Sequence, residues 1–117
     1  MPTIESNTAK INYQEYVQDT LQMAFRHADD QNVLIDVTGW TVDLEIRKQA
    51  NDLNPVLVVN EQNGVVLGGT DYNILITVTD DQTLALGAGT FAYFVRTKDL
   101  SGFVNTLALG KLTLRTR

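Results

Sequence analysis

Strict alternation of apolar and polar residues runs through most of this chain, and it constrains the fold more than any other feature. In TGWTVDLEIR, residues 38–47, Val42, Leu44 and Ile46 alternate with Asp43, Glu45 and Arg47. Leu21, Met23 and Phe25 alternate with Gln22, Ala24 and Arg26, and Ile74, Ile76 and Val78 with Asn73, Leu75 and Thr77. Phe91, Tyr93 and Val95 alternate with Ala92, Phe94 and Arg96. A period of two sends alternate side chains to opposite faces of a strand, so each run reads as a half-buried strand. The pattern predicts strands near 19–27, 33–37, 40–48, 55–60, 64–68, 72–79, 89–98 and 103–115. Trp40 shares parity with Val42 and is expected to extend the core face.

The segments between the runs carry turn chemistry. Asp29-Asp30-Gln31-Asn32 and Asp99-Leu100-Ser101-Gly102 read as hairpin turns, and so does Asn63-Gly64, where both residues tolerate positive φ. Short strands with frequent turns predict an antiparallel sandwich or barrel, with one face of each sheet packed and the other wet. One segment departs from the period. In TDDQTLALGA, residues 79–88, Thr79 and Gln82 have the spacing of a capping box, Asp80 and Asp81 fit a first turn, and Gly87 fits a stop. A short helical turn near residues 80–86 is expected to plug an open end, with Leu84 and Leu86 buried.

The last run changes parity. Leu107 and Leu109 share one face, Leu112 and Leu114 the other; a bulge at Gly110-Lys111 would bring both pairs to the core, and without it one leucine pair would face solvent or a partner. Residues 1–17 are polar and weakly patterned, and read as a frayed end or as an arm that orders on a neighbouring subunit. Residues 18–117 read as a single β-domain.

Chemistry is harder to find. There is no cysteine, which excludes disulfides, thiolate metal sites and cysteine nucleophiles. His27 is the one histidine, at a strand end, where a ligand role would leave it with carboxylates alone for company. Asp29-Asp30 and Asp80-Asp81 read as turn and helix-start residues, not as a paired-carboxylate site. Ser6 and Ser101 lie in no nucleophile elbow, and no glycine-rich loop has phosphate-binding spacing. No catalytic residue, cofactor or metal is therefore expected, and the chain reads as a non-enzyme. A net charge of −5 opposes nucleic-acid binding. Five basic residues, Arg96, Lys98, Lys111, Arg115 and Arg117, nonetheless gather at the C-terminal end. No apolar run reaches the length of a membrane span, and the first residues lack a secretory signal's pattern, so synthesis in a cytoplasm is expected. Tyr93 and Phe94 must face opposite sides of one strand, which leaves one of them for a loop or an interface.

A longer pattern joins these pieces. It runs through Asp19-Thr20-Leu21, Leu34-Ile35-Asp36-Val37-Thr38-Gly39-Trp40-Thr41-Val42 and Ile46-Arg47. It continues with Val56-Leu57, Asn63-Gly64-Val65-Val66-Leu67, Ile74-Leu75-Ile76-Thr77-Val78-Thr79 and Gln82-Thr83-Leu84-Ala85-Leu86. Gly89-Thr90-Phe91-Ala92-Tyr93 and Gly110-Lys111-Leu112-Thr113-Leu114 close it. In order and spacing this resembles small β-sandwich structural proteins of tailed bacteriophages, similar to the N-terminal domain of phage upper baseplate proteins. Trp40 stands where that family more often has Tyr, and the loop from Ala50 to Asn54 is compressed.

The resemblance implies an antiparallel immunoglobulin-like β-sandwich and a virion structural role in the tail, baseplate or fibre-attachment region. The implied partners are other phage virion proteins and copies of the chain itself, with a trimer preferred; no nucleic acid or membrane is expected as a partner. The expected location is the virion, after synthesis in the bacterial host cytoplasm. Tyr13, Tyr16 and Phe94 are the candidate interface residues. Two other readings stay open: a capsid decoration protein, and a carbohydrate-binding module with an aromatic platform at Trp40.

Overall fold

The computed structural model describes residues 8–117. Period-two segments become strands whose apolar positions point to one shared core. The strands are β1 (Ala9–Lys10), β2 (Tyr13–Tyr16), β3 (Leu21–Phe25), β4 (Thr41–Arg47), β5 (Leu57–Val59), β6 (Val65–Leu67), β7 (Ile74–Val78), β8 (Gly89–Lys98) and β9 (Val104–Arg115). The helix α1 (Asp80–Leu86) lies between β7 and β8. The larger sheet has the order β1-β9-β8-β4-β5, with β2 also on β9, and the smaller has the order β3-β7-β6. Their inner faces meet in one cluster that includes Met23, Leu44, Ile46, Ile76, Tyr93 and Leu112, all fully buried. Each such aliphatic side chain contributes about 1.5–3 kcal/mol by leaving water.

The sheets are not purely antiparallel. β1 and β2 run parallel to β9, with Ala9 opposite Ala108 and Tyr13 opposite Leu112. Residues 9–10 and 13–16 of the expected N-terminal arm are thus part of the sheet of their own chain; residues 1–7 of it lie outside the described residues. A faint alternation made this possible: Ile11, Tyr13 and Val17 share parity, and Tyr13 and Val17 pack against the core. Between β1 and β2 the side chain of Asn12 accepts from the Lys111 amide at 3.0 Å, in place of a backbone partner.

Residues 33–37 do not form the expected strand. An isolated bridge joins Ala28 to Leu34, and the Ile35 amide donates to the His27 carbonyl at 2.9 Å. The chain then bends, because the Asp36 carboxylate accepts from both the amide and the hydroxyl of Thr38. Thr38-Gly39 forms the expected turn, closed by the Trp40 amide on the Val37 carbonyl, with Gly39 at φ 80°. Trp40 itself is only half-buried. Its parity is right, but it stands before the first residue of β4, beyond the end of the core.

Asn63-Gly64 is a turn but not a hairpin. β5 belongs to the larger sheet and β6 to the smaller, so the turn carries the chain across the core. Gly64 is required there by close approach: an added Cβ would lie 2.5 Å from the Thr77 carbonyl oxygen. The bulge also falls elsewhere than expected. Val95 faces Ala108 and Arg96 faces Thr106, so Leu107 is the extra residue. From Ala108 onward the parity is constant, Leu112 and Leu114 are core, and Leu109 is turned to the outside of the sheet.

α1 follows its capping box. Thr79 Oγ1 accepts from the Gln82 amide at 3.2 Å, and Gln82 Oε1 from the Thr79 amide at 2.9 Å. Its buried side differs from expectation: Leu84 is 50% exposed while Thr83 is fully buried. Thr83 Oγ1 accepts from the Gln18 amide and bonds the Asp19 carbonyl, so a polar tether to the β2–β3 turn holds the helix. Leu86 packs against the core as expected.

Candidate functional site

The displaced bulge gives the larger sheet an apolar outer patch. Phe94 on β8 and Leu109 on β9 are directly opposite one another and both point away from the core. Next along the strands, Ala92 lies opposite Lys111. A small side chain between larger ones leaves a hollow, and the result is a shallow groove of about 520 Å³. Its rim carries Lys10, Lys48 and Lys111, and among the described residues no carboxylate lines it. None of these lysines forms an ion pair with a described residue.

The acidic side chains of this face are engaged beside the groove. Glu45 accepts from Arg47 at 2.6 Å and from Arg96 at 2.9 Å, and Asp43 lies 3.4 Å from Arg96. Arg47 also donates to the Asp52 carbonyl at 2.8 Å. Held this way, its guanidinium lies over the Phe94 ring, 5.3 Å from the centroid, in cation–π geometry. Arg47 thereby covers part of the Phe94 ring. Three lysines line the groove although the chain is acidic, and an apolar floor with a cationic rim suits an apolar surface edged by carboxylates.

The three residues singled out from sequence do not converge. Phe94 is in the groove. Tyr16 is on the outer face but beside Arg115, at the far end of β9. Tyr13 points inward, half-buried, with its ring edge-on to Tyr93 at 5.6 Å. Tyr93, the residue facing opposite to Phe94, is core. Its phenol donates to the Ile11 carbonyl at 2.6 Å, and burial, with Tyr13 nearby, pushes its pKa far above the usual tyrosine value.

His27 lies two residues beyond the end of β3, half-buried, its ring edge-on to Trp40 at 5.8 Å, and burial lowers its pKa. Its backbone is clamped by a residue that sequence reasoning passed over. Asn73, 2% exposed, accepts from the His27 amide at 2.8 Å and donates to the carbonyls of His27 and Ile35 at 2.8 and 2.9 Å. Asp29 is spent on its turn, accepting from the amides of Gln31 and Val33. Asp80 and Asp81 open α1. Among the described residues no group of three or more His, Asp or Glu could hold a metal ion, and no helix is long and apolar enough to cross a membrane. The groove itself was missed because its signal, the parity of Leu109, depends on where the bulge falls.

No model of a known protein family matches the chain, and no curated protein matches it.

Proposed function

We propose that the chain is a non-enzymatic building block of a tailed-phage particle, in its tail, baseplate or fibre-attachment region, working through contacts with other virion proteins and with copies of itself. The Phe94–Leu109 groove is the observation that carries this reading. A half-buried aromatic and aliphatic floor with a cationic rim that forms no ion pair among the described residues is the anatomy of a protein contact. The order of motifs shared with small phage β-sandwich proteins supplies the phage context.

Within this reading the fold is an immunoglobulin-like β-sandwich. The strand order supports it: β9-β8-β4 with β5 alongside corresponds to the G-F-C sheet with its added neighbour, and β3-β7-β6 to the B-E-D sheet. The carbohydrate-binding alternative draws little from Trp40, whose half-buried ring is already in contact with His27.

The test is localisation. Particles of a phage encoding this chain should contain it at a fixed stoichiometry, a multiple of three for the trimer, and labelled antibody should decorate the tail tip. Label on the head would replace the tail reading with capsid decoration. Absence from intact particles, with abundance in the same lysate, would sink the virion role.

A further inference from the structure

The groove and the helix α1 have complementary surfaces, and they belong to the same molecule. Thr83 and Leu86 turn inward from α1. Its outer ridge carries Asp81, Leu84 and Ala85, with Asp80 beside them and no basic residue in the last turn. Leu84 is the one bulky apolar group on this ridge, half exposed and flanked by two carboxylates, and Ala85 lets a facing surface come close. The groove offers the counterpart: the small side chain of Ala92 between Phe94 and the rim, with Lys10, Lys48 and Lys111 around it. Opposite charges arranged around an apolar contact set both orientation and encounter rate.

We propose that the occupant of the Phe94–Leu109 groove is the helix α1 of a second copy of this chain, with Leu84 over Ala92 and Asp80 and Asp81 against the groove lysines. The proposal rests on the reading of the chain as an interface-forming building block and does not depend on where in a particle it sits. Helix and groove adjoin at Lys48, so two copies can exchange the contact reciprocally about a two-fold axis, or repeat it head to tail in a ring whose rotation divides a full turn. One short helix in one groove covers less than the ~1,200 Å² of a stable pair, so a single contact is weak and strengthens when copies are held together.

The test uses the full-length chain, mixed as unlabelled and nitrogen-15-labelled protein at high concentration and low salt, and treated with a zero-length carbodiimide cross-linker. Cross-linked peptides joining Asp80 or Asp81 to Lys10, Lys48 or Lys111, with one light and one heavy partner, are expected. Sedimentation should show self-association that weakens with salt. Leu84→Glu alters an exposed residue, leaves the fold intact and should weaken association at least tenfold. Reversing Lys10 and Lys111 to Glu should do the same, and pairing that variant with Asp80→Lys/Asp81→Lys protein should restore it.

Three outcomes overturn the proposal: a monomer at every concentration without mixed-isotope cross-links, association indifferent to these substitutions, or particle incorporation that needs the groove lysines but tolerates every change in α1. The last would assign the groove to another virion protein and leave the proposed function standing.

Discussion

The Tyr93 phenol and the Ile11 carbonyl are 2.6 Å apart, and this bond fastens the first strands of the chain to the middle of the larger sheet. Tyr93 faces Gly110 across β8 and β9, and an added Cβ on Gly110 would lie 1.9 Å from the Ile11 oxygen. Tyr93→Phe leaves that carbonyl unsatisfied and should cost about 1–3 kcal/mol in a denaturant titration. Gly110→Ala should cost about 3 kcal/mol through overpacking. In both variants hydrogen exchange should quicken first in residues 9–16. Unchanged protection there would mean that β1 and β2 are held by something other than this contact.

Asn73 replaces a missing strand with one side chain. Asn73→Ala removes three hydrogen bonds to the backbone of His27 and Ile35 from a buried site and should destabilise by about 2–4 kcal/mol. Asn73→Asp keeps the acceptor but sets a carboxylate against two carbonyls. Its folded-state pKa should be raised, so the pH-dependent part of the penalty should be absent below the ordinary aspartate value and complete above the raised one, while the second lost donor costs stability at every pH. A pH series of melting temperatures comparing the two variants reads this out.

His27 and Trp40 form a built-in pH probe, each the sole residue of its type. Burial lowers the imidazole pKa below 6.5, so the unfolded chain binds this proton more tightly than the native one. Stability should therefore fall as pH drops from 6.5 towards the lowered value, and His27→Gln should flatten that part of the profile. Tryptophan fluorescence should change over the same interval, with a midpoint below 6.5. A midpoint at or above 6.5 would contradict the burial.

Asp29 and Asp99 build the same turn. In each, the Asp amide donates to the carbonyl four residues on, the side chain accepts from the second and fourth amides beyond it, and the fourth residue of the turn has positive φ, Asn32 at 63° and Gly102 at 88°. Hydrogen bonds from Ser101 and Phe103 lower the Asp99 pKa. This contribution is present above the ordinary aspartate pKa and lost as pH falls through the lowered one. Asp99→Ala should lower the melting temperature at neutral pH and Asp99→Asn should lower it less, and both should show less further loss in acid than the wild type. Equal acid sensitivity in all three proteins would place the titrating group elsewhere.

Much of this was legible in the sequence because it is local. The alternation in β3, β4, β7 and β8, the capping box at Thr79 and Gln82, and the Asp-initiated turns each follow from residues within a few positions of one another. Some failures were local, such as the Asp36–Thr38 bend in place of a strand, but most required knowledge of a distant partner. Nothing near Asn63-Gly64 tells that β5 and β6 will join different sheets. The weak parity of Ile11, Tyr13 and Val17 gains meaning only when β9 lies beside it. Leu109 turns outward because the bulge is spent at Leu107, opposite Val95, and not at Gly110. Leu84 lost its expected burial to Thr83, whose hydroxyl is needed by Gln18 and Asp19 on another turn.

The pairing of β1 and β2 with β9 also orders events in time. Asn12 and Lys111 bond across 99 positions of sequence, so the first strands synthesised wait for the last one before they have a partner. Until the C-terminal strand leaves the ribosome, Tyr13 and Val17 stay uncovered and the sheet edge that will receive them does not exist. Closure of this loop is then a late and slow step, as expected for contacts so far apart along the chain. A fusion at the C-terminus that delays release of β9 would lengthen the interval in which a nascent chain can pair with its neighbour instead of with itself.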